Sequence, residues 1–320
     1  MIATSFTKLV GVSAPIQLAA MPGISTPDLV AAVADSGGLG MLGAPLMSAP
    51  VLEAVLKQLS ARTNGAFGVS FLIPFLDPAC VFVAARHARV VEFFYGEPDA
   101  GLVARAREFG ALVSWQVGSL AEAAAAERAG CDFIVVQGTE AGGHVRGETS
   151  LLPLLSLVLD LVRVPVVAAG GIATARSLAG VLACGSGAAR IGTRFVAAAE
   201  SGAHPSYVKA LLASSAADTC LTGAFSVMWP DAPHRVLRSA IVAAEALTED
   251  VIGEARYAEQ VLPVHRFSVI APTSATTGHI DAMALYAGES VTNVTSVQPA
   301  AVIISELVAE AERLLREAAG

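Results

Sequence analysis

The stretch "VPVVAAGGIATARSLAGVLACGSGAARIG" (residues 164–192) decides the fold. It opens with a short β-branched run, 164–169, stops at Gly170 and Gly171, and continues as "TARSLAGVLACG", whose Ala and Leu recur at helical spacing. A second short run, "AARIG" (188–192), follows. Strand, glycine turn, helix and strand in that order describe two parallel strands joined by a crossover helix.

Upstream, the same rhythm repeats. Apolar runs at 15–20 "PIQLAA", 39–43 "LGMLG", 67–72 "FGVSFL", 89–94 "RVVEFF", 112–117 "LVSWQV" and 132–137 "DFIVVQ" bring the strands to eight. Helix candidates lie between them: "TPDLVAAVADSG" with Thr26 as N-cap and Gly37 as stop, "SAPVLEAVLKQLSART", "DAGLVARAREFG" and "SLAEAAAAERAG". Eight alternating units predict a (β/α)8 TIM barrel. An open doubly wound sheet would be favoured by G-x-G-x-x-G after the first strand, and "AAMPGIS" is not that motif.

From residue 201 to 293 the alternation stops, and stretches such as "SAIVAAEALTEDVIGEARY" (239–257) read as helical. The expected organisation is a barrel of residues 1–200 and 294–320, with a small, mostly helical lobe, 201–293, inserted after strand eight. "PAAVIISELVAEAERLLREAAG" (299–320) should return as the last outer helix.

Composition narrows the function. The 320 residues are 54% hydrophobic and 15% charged with a net charge of −8, so no basic footprint for a nucleic-acid partner exists. The most apolar window, 151–170, contains Asp160, Arg163 and two prolines. A bilayer-spanning helix would bury those charges at about 2.5–3.5 kcal/mol each, so a helix followed by a strand fits better than a membrane span. Without an apolar h-region and cleavage site at the start, the expected location is cytoplasmic. Cys80, Cys131, Cys184 and Cys220 are widely spaced, which predicts reduced, mostly buried thiols and neither a disulfide framework nor a metal site. Cys131 precedes a strand, the wrong end of a barrel for a nucleophile.

In such barrels chemistry sits at the C-terminal strand ends. There the chain places Met21, Pro22 and Gly23 after strand one, "QGTEAGGH" (137–144) after strand six, Gly170 and Gly171 after strand seven, and Gly192 and Thr193 after strand eight. Glycine turns beside helix N-termini after strands seven and eight suit a phosphate, against the alternative that they only make tight turns. His144 directly follows a strand, and its imidazole suits proton exchange near neutral pH, the alternative being a hydrogen-bonded loop histidine. The other histidines have weaker claims, His234 among them because it sits in the inserted segment.

Taken together, "PIQLAAMPGIS", "AAVADSGGLGMLG", "FGVSFLIPF", "VVQGTEAGGHVRG", "VPVVAAGGIA" and "RIGTRFVAAAESGAHPSY" resemble the nitronate monooxygenase family, formerly called 2-nitropropane dioxygenases, and the related flavin-dependent enoyl-acyl-carrier-protein reductases. The resemblance implies FMN held non-covalently. It places Gly171, Gly192 and Thr193 at the phosphate, Gln137 and Gly142 beside the ring system, Met21 to Gly23 on its other side, and His144 at the catalytic position, with Ser70, Gly143 and Gly170 as further cofactor-binding residues. Two positions depart from the family pattern: Ser70 stands where Asn is usual, and Arg190 where Gln is usual.

The reaction so implied is oxidation of an alkyl nitronate with O2 to a carbonyl compound and nitrite, with a small-molecule substrate as the partner and a homodimer as the expected assembly. The alternatives are an NAD(P)H-dependent reductase acting on an enoyl thioester or quinone, and a flavin-binding barrel without turnover.

Overall fold

A computed structural model describes residues 2–257 and 260–319. Met1, Ala258, Glu259 and Gly320, which fall within the expected barrel and lobe segments, lie outside the described residues.

The barrel strands are β1 (Ile16–Leu18), β2 (Gly40–Gly43), β3 (Phe67–Leu72), β4 (Val90–Phe94), β5 (Leu112–Val117), β6 (Phe133–Gln137), β8 (Val166–Ala169) and β9 (Ala188–Ile191); β7 (Gly143–His144) is a two-residue strand outside that sheet. All neighbours pair in parallel in the order β1-β9-β8-β6-β5-β4-β3-β2. The ring closes because Leu18 N–H donates to Leu39 C=O and Leu39 N–H to Ile16 C=O, both at 2.9 Å. This is the TIM barrel expected from the alternation, and each of the eight apolar runs contains one of its strands.

Local chemistry sets the helix starts. Thr26 Oγ1 accepts from Leu29 N at 3.1 Å with Pro27 in the first turn, and Thr174 and Ser177 form a reciprocal capping box. Each such cap contributes about 1 kcal/mol. Helix Ser5–Val10 stops the N-terminal mouth: Phe6 is fully buried and packs edge-on to Phe133, the first residue of β6, with ring centroids 5.3 Å apart. Helix Ala300–Ala319 packs against helices Ala175–Ala183 and Pro27–Asp35, as the outer helix expected of the terminal segment.

The aliphatic faces of the strands pack outward on the helices in one large core. The barrel interior is different. Hydrogen bonds join Gln17 on β1, Glu92 on β4, Ser114 and Gln116 on β5, and Arg190 on β9, and only a path through the interior connects β9 with β4. Bulky aliphatics usually fill this space.

The segment 201–293, expected to be mostly helical, is mixed. It holds helices Pro205–Leu212 and Arg238–Ala246, and strands β10 (Thr219–Thr222), β11 (His234–Leu237), β12 (Val251–Tyr257), β13 (Gln260–His265) and β14 (Thr277–Gly278). The helical reading of 239–257 is corrected in its second half. After Leu247 the backbone is extended, and β12 finds antiparallel partners in β13 and β14, whose ladders satisfy its peptide groups. A second apolar cluster, including Tyr207, Phe225, Val236 and Leu285, supports this segment.

β7 pairs with β11 in the sheet β10-β11-β7, with His144 opposite His234 and Gly143 opposite Arg235. No helix among the described residues is long and apolar enough to cross a membrane. Cys80 and Cys131 are buried, whereas Cys184 is exposed and Cys220 half-buried, all four unpaired. Burial pushes the Cys131 thiol up to about 12, which keeps it protonated and unreactive.

Candidate active site

A cavity of about 250 Å³ opens at the C-terminal ends of the strands. It brings together Met21, Pro22, Ser70, Gln137, Gly142, Gly143, His144, Gly170, Gly171, Gly192 and Thr193. Gly23 is the exception: its φ is 74°, and its missing Cβ would lie 2.8 Å from Thr273, so it serves a tight turn against the inserted segment.

The glycines divide by what surrounds them. A Cβ on Gly142 would lie 2.5 Å from the backbone nitrogen of Gly288, so that glycine permits two chain segments to touch. Gly170 has φ 113°, and its Cβ would sit 3.2 Å from Ala141 N. Gly143 has φ 76° with no atom within 4 Å of its Cβ position, and Gly171 has φ 68° with nothing nearer than 3.6 Å. These two leave room for a ligand against the backbone.

Gln137 ends β6 and is buried. Its Nε2 donates to the His144 carbonyl at 2.9 Å, while its Oε1 is buried with no partner in the protein. Thr193 Oγ1 accepts from Gly288 N at 3.0 Å, which leaves the hydroxyl proton free to be donated.

His144 sits in an aromatic enclosure. Its ring stacks on Trp229, centroids 4.1 Å apart and planes 27° from parallel, with Tyr286 at 5.6 Å, Tyr95 at 6.0 Å and His234 at 5.3 Å. Burial, with a smaller contribution from His234, takes the imidazole from 6.5 down to about 3. At neutral pH the ring is uncharged, and its Nε2 is buried with no partner in the protein. Buried polar atoms are nearly always paired, so an orphan in a cavity wall is a place for a ligand atom.

His234, given a weak claim by its place in the inserted segment, packs beside His144 in a structural role. It is fully buried, its Nδ1 lies 2.9 Å from the Ala232 carbonyl, and its Nε2 accepts from Phe225 N at 3.2 Å. Both ring nitrogens are used, by Ala232 and Phe225 of its own segment, so the ring anchors the loop before β11 and has no proton to spare for chemistry. Burial holds it below the usual histidine range.

Sequence reasoning missed the enclosure and the polar interior. Trp229 opens "WPDAPHRVLR" (229–238), and nothing local shows that it returns to His144. The interior did leave a signal: Gln17, Glu92 and Arg190 are single polar residues within apolar strands, and Ser114 and Gln116 alternate with apolar residues on β5, on faces that meet inside the barrel.

Comparison with known proteins agrees with this architecture. The family model described as nitronate monooxygenase matches residues 3–82 and 77–310. The chain is 35% identical over 240 residues to the (3aS,4S,5R,7aS)-5-hydroxy-7a-methyl-1-oxo-octahydro-1H-indene-4-carboxyl-CoA dehydrogenase of Rhodococcus jostii, covering 75% of this chain and 67% of that one. It is also 35% identical over 268 residues to the nitronate monooxygenase of Paraburkholderia phytofirmans, covering 68% and 73%. Among solved structures, FabK from Thermotoga maritima superposes with a TM-score of 0.82 at 28% identity, over 100% of this chain and 99% of that one.

Proposed function

Since the chain belongs to the nitronate monooxygenase family, and is thus a flavin-dependent oxidoreductase, we propose that it binds FMN and oxidises small alkyl nitronates with O2 to a carbonyl compound and nitrite. The observation that carries this reading is the partnerless, uncharged imidazole of His144 in the cavity wall, enclosed by aromatic rings.

The residues present fit FMN. The open Cβ positions of Gly143 and Gly171, the orphaned Oε1 of Gln137 and the free hydroxyl proton of Thr193 provide space and hydrogen-bonding capacity that the protein itself does not use. Gly171, Gly192 and Thr193 would hold the phosphate, and Gln137, Gly143, Met21 and Pro22 would flank the ring system. When bound, FMN supplies the electron acceptor.

The protein's own part is to position the substrate and keep water out. Leu72, Phe75, Phe94, Trp229 and Ile270 wall the cavity with apolar surface. An imidazole held near 3 is a weak base, so it is poorly matched to removing a proton from a neutral nitroalkane. A nitronate arrives already deprotonated and needs only a hydrogen bond. His144 provides that bond, and the approaching anion strengthens it by making protonation of the ring less costly. The segment 201–293 acts as the substrate lobe, because Trp229, Tyr286 and His234 all belong to it.

A second reading, an NAD(P)H-dependent reductase of an enoyl thioester or quinone, is favoured by the mouth. Leu46 and Met228 both line the cavity, are 67% and 50% exposed, and have left-handed backbones with φ of 61° and 79°. Such apolar lips suit a substrate with a long apolar body.

Anaerobic mixing separates the two. FMN-loaded protein is mixed with propyl nitronate or with NADPH while its visible flavin absorbance is followed. Bleaching by the nitronate alone supports the monooxygenase reading. Bleaching by NADPH alone overturns it in favour of the reductase.

A further inference from the structure

The buried ion pair inside the barrel has an orientation. Arg190 projects from β9 and reaches Glu92 on β4 through Nη2 and Gln116 on β5 through Nη1. Glu92 is fully buried, and its Oε2 also accepts from Gln17 Nε2 at 3.3 Å and Ser114 Oγ at 3.1 Å. Arg190 and Gln116 line the cavity, whereas Glu92 does not. The carboxylate is therefore set back behind the guanidinium, among three donors, and the positive end of the pair is the one the cavity meets. Arg190 Nε is buried with no acceptor in the protein. Solvent screens charges at such depth weakly.

Burying an ion pair is an inefficient way to stabilise a fold, since apolar residues of similar volume do as well or better. The guanidinium lies in the wall of the cavity proposed to hold FMN.

We infer that Arg190, anchored by Glu92, is the electrostatic partner of the flavin and raises its reduction potential. The inference rests on the FMN reading above. On taking up two electrons and one proton the ring system gains one net negative charge, and a fixed cation in the cavity wall favours that form over the neutral oxidised one. The consequence is directional. A more oxidising flavin accepts electrons more readily from a substrate such as a nitronate.

The test uses FMN-loaded wild type beside Arg190→Gln/Glu92→Gln, which removes both charges at once, and the single variants Arg190→Lys and Glu92→Gln. Two quantities are read: the two-electron midpoint by dye-equilibrated anaerobic reduction, and the affinity for sulfite, which adds to oxidised flavin to give an anion. In the double variant sulfite binding weakens about tenfold and the midpoint falls by about 30 mV, the equivalent of tenfold for two electrons.

Arg190→Lys keeps the wild-type midpoint, and Glu92→Gln, which leaves the cation less compensated, raises it. Those two variants decide the matter if the double variant does not fold. FMN bound with unchanged midpoint and sulfite affinity in the double variant, or a fall in Glu92→Gln, overturns the inference. A wild-type protein that binds no FMN overturns the cofactor reading, and the inference with it.

Discussion

The rings of His144 and Trp229 lie 4.1 Å apart and close to parallel, one on the two-residue strand β7 and the other on the inserted segment. Neither residue is set by its own neighbours in sequence. The stack is a tertiary product, and it fixes where the imidazole points.

Trp229→Leu tests it. Leu keeps the site apolar and removes the stack, which is worth about 0.5–1.5 kcal/mol. We expect kcat/KM for a nitronate to fall between about twofold and tenfold, with FMN affinity unchanged. Steady-state kinetics beside a flavin titration checks this, and unchanged kcat/KM would count against the stack as a positioning device.

His144→Ala should affect two substrate forms alike. Turnover of a preformed nitronate should fall about tenfold, the loss of one hydrogen bond of about 1.4 kcal/mol. Turnover of the neutral nitroalkane should fall by about the same factor, because an imidazole held near 3 is not the group that deprotonates it. A much larger loss on the nitroalkane would make His144 the base and overturn its role as a hydrogen-bond donor only.

Acid should destabilise the fold through the same ring. The His144 imidazole is held near 3 in the fold against 6.5 ordinarily, so between those values the unfolded chain binds a proton that the folded chain does not. Stability is therefore lost as pH falls through this window, by up to about 1.4 kcal/mol per unit from this residue. Urea denaturation at pH 7 and pH 4.5 should show His144→Gln losing less stability than wild type. Parallel losses would place the acid sensitivity elsewhere.

Two adjacent glycines should fail differently. Gly142→Ala drives a methyl against Gly288 N, and overpacking of this kind costs about 1–3 kcal/mol. Its signature is a lowered Tm. Gly143→Ala meets no atom within 4 Å but strains a left-handed backbone and occupies open space in the cavity. Its signature is weakened FMN binding at a smaller cost in Tm, read by melting and flavin titration on both variants.

The barrel was legible because each strand announced itself locally, as an apolar run closed by small residues, and the positions after strands six to eight could be inspected by counting. His144, Gln137, Gly171 and Thr193 came to one cavity for that reason. What surrounds His144 could not be read the same way. Trp229, Tyr286 and His234 reach it through the pairing of β7 with β11, a contact between segments far apart in the chain, and no local pattern encodes such a register. The second half of 239–257 misled for a related reason: Ala- and Glu-rich residues before it carry helical propensity, and only its partners β13 and β14 turn it into strand.

The pairing of His144 with His234 also limits how this enzyme could be remodelled. Barrel enzymes are often treated as a chassis on which loops can be exchanged to change specificity. Here His144, the residue proposed to meet the substrate, lies on a strand of the sheet that the inserted segment completes, so a graft of another relative's segment would have to bring a matching β11 or leave the imidazole without its frame.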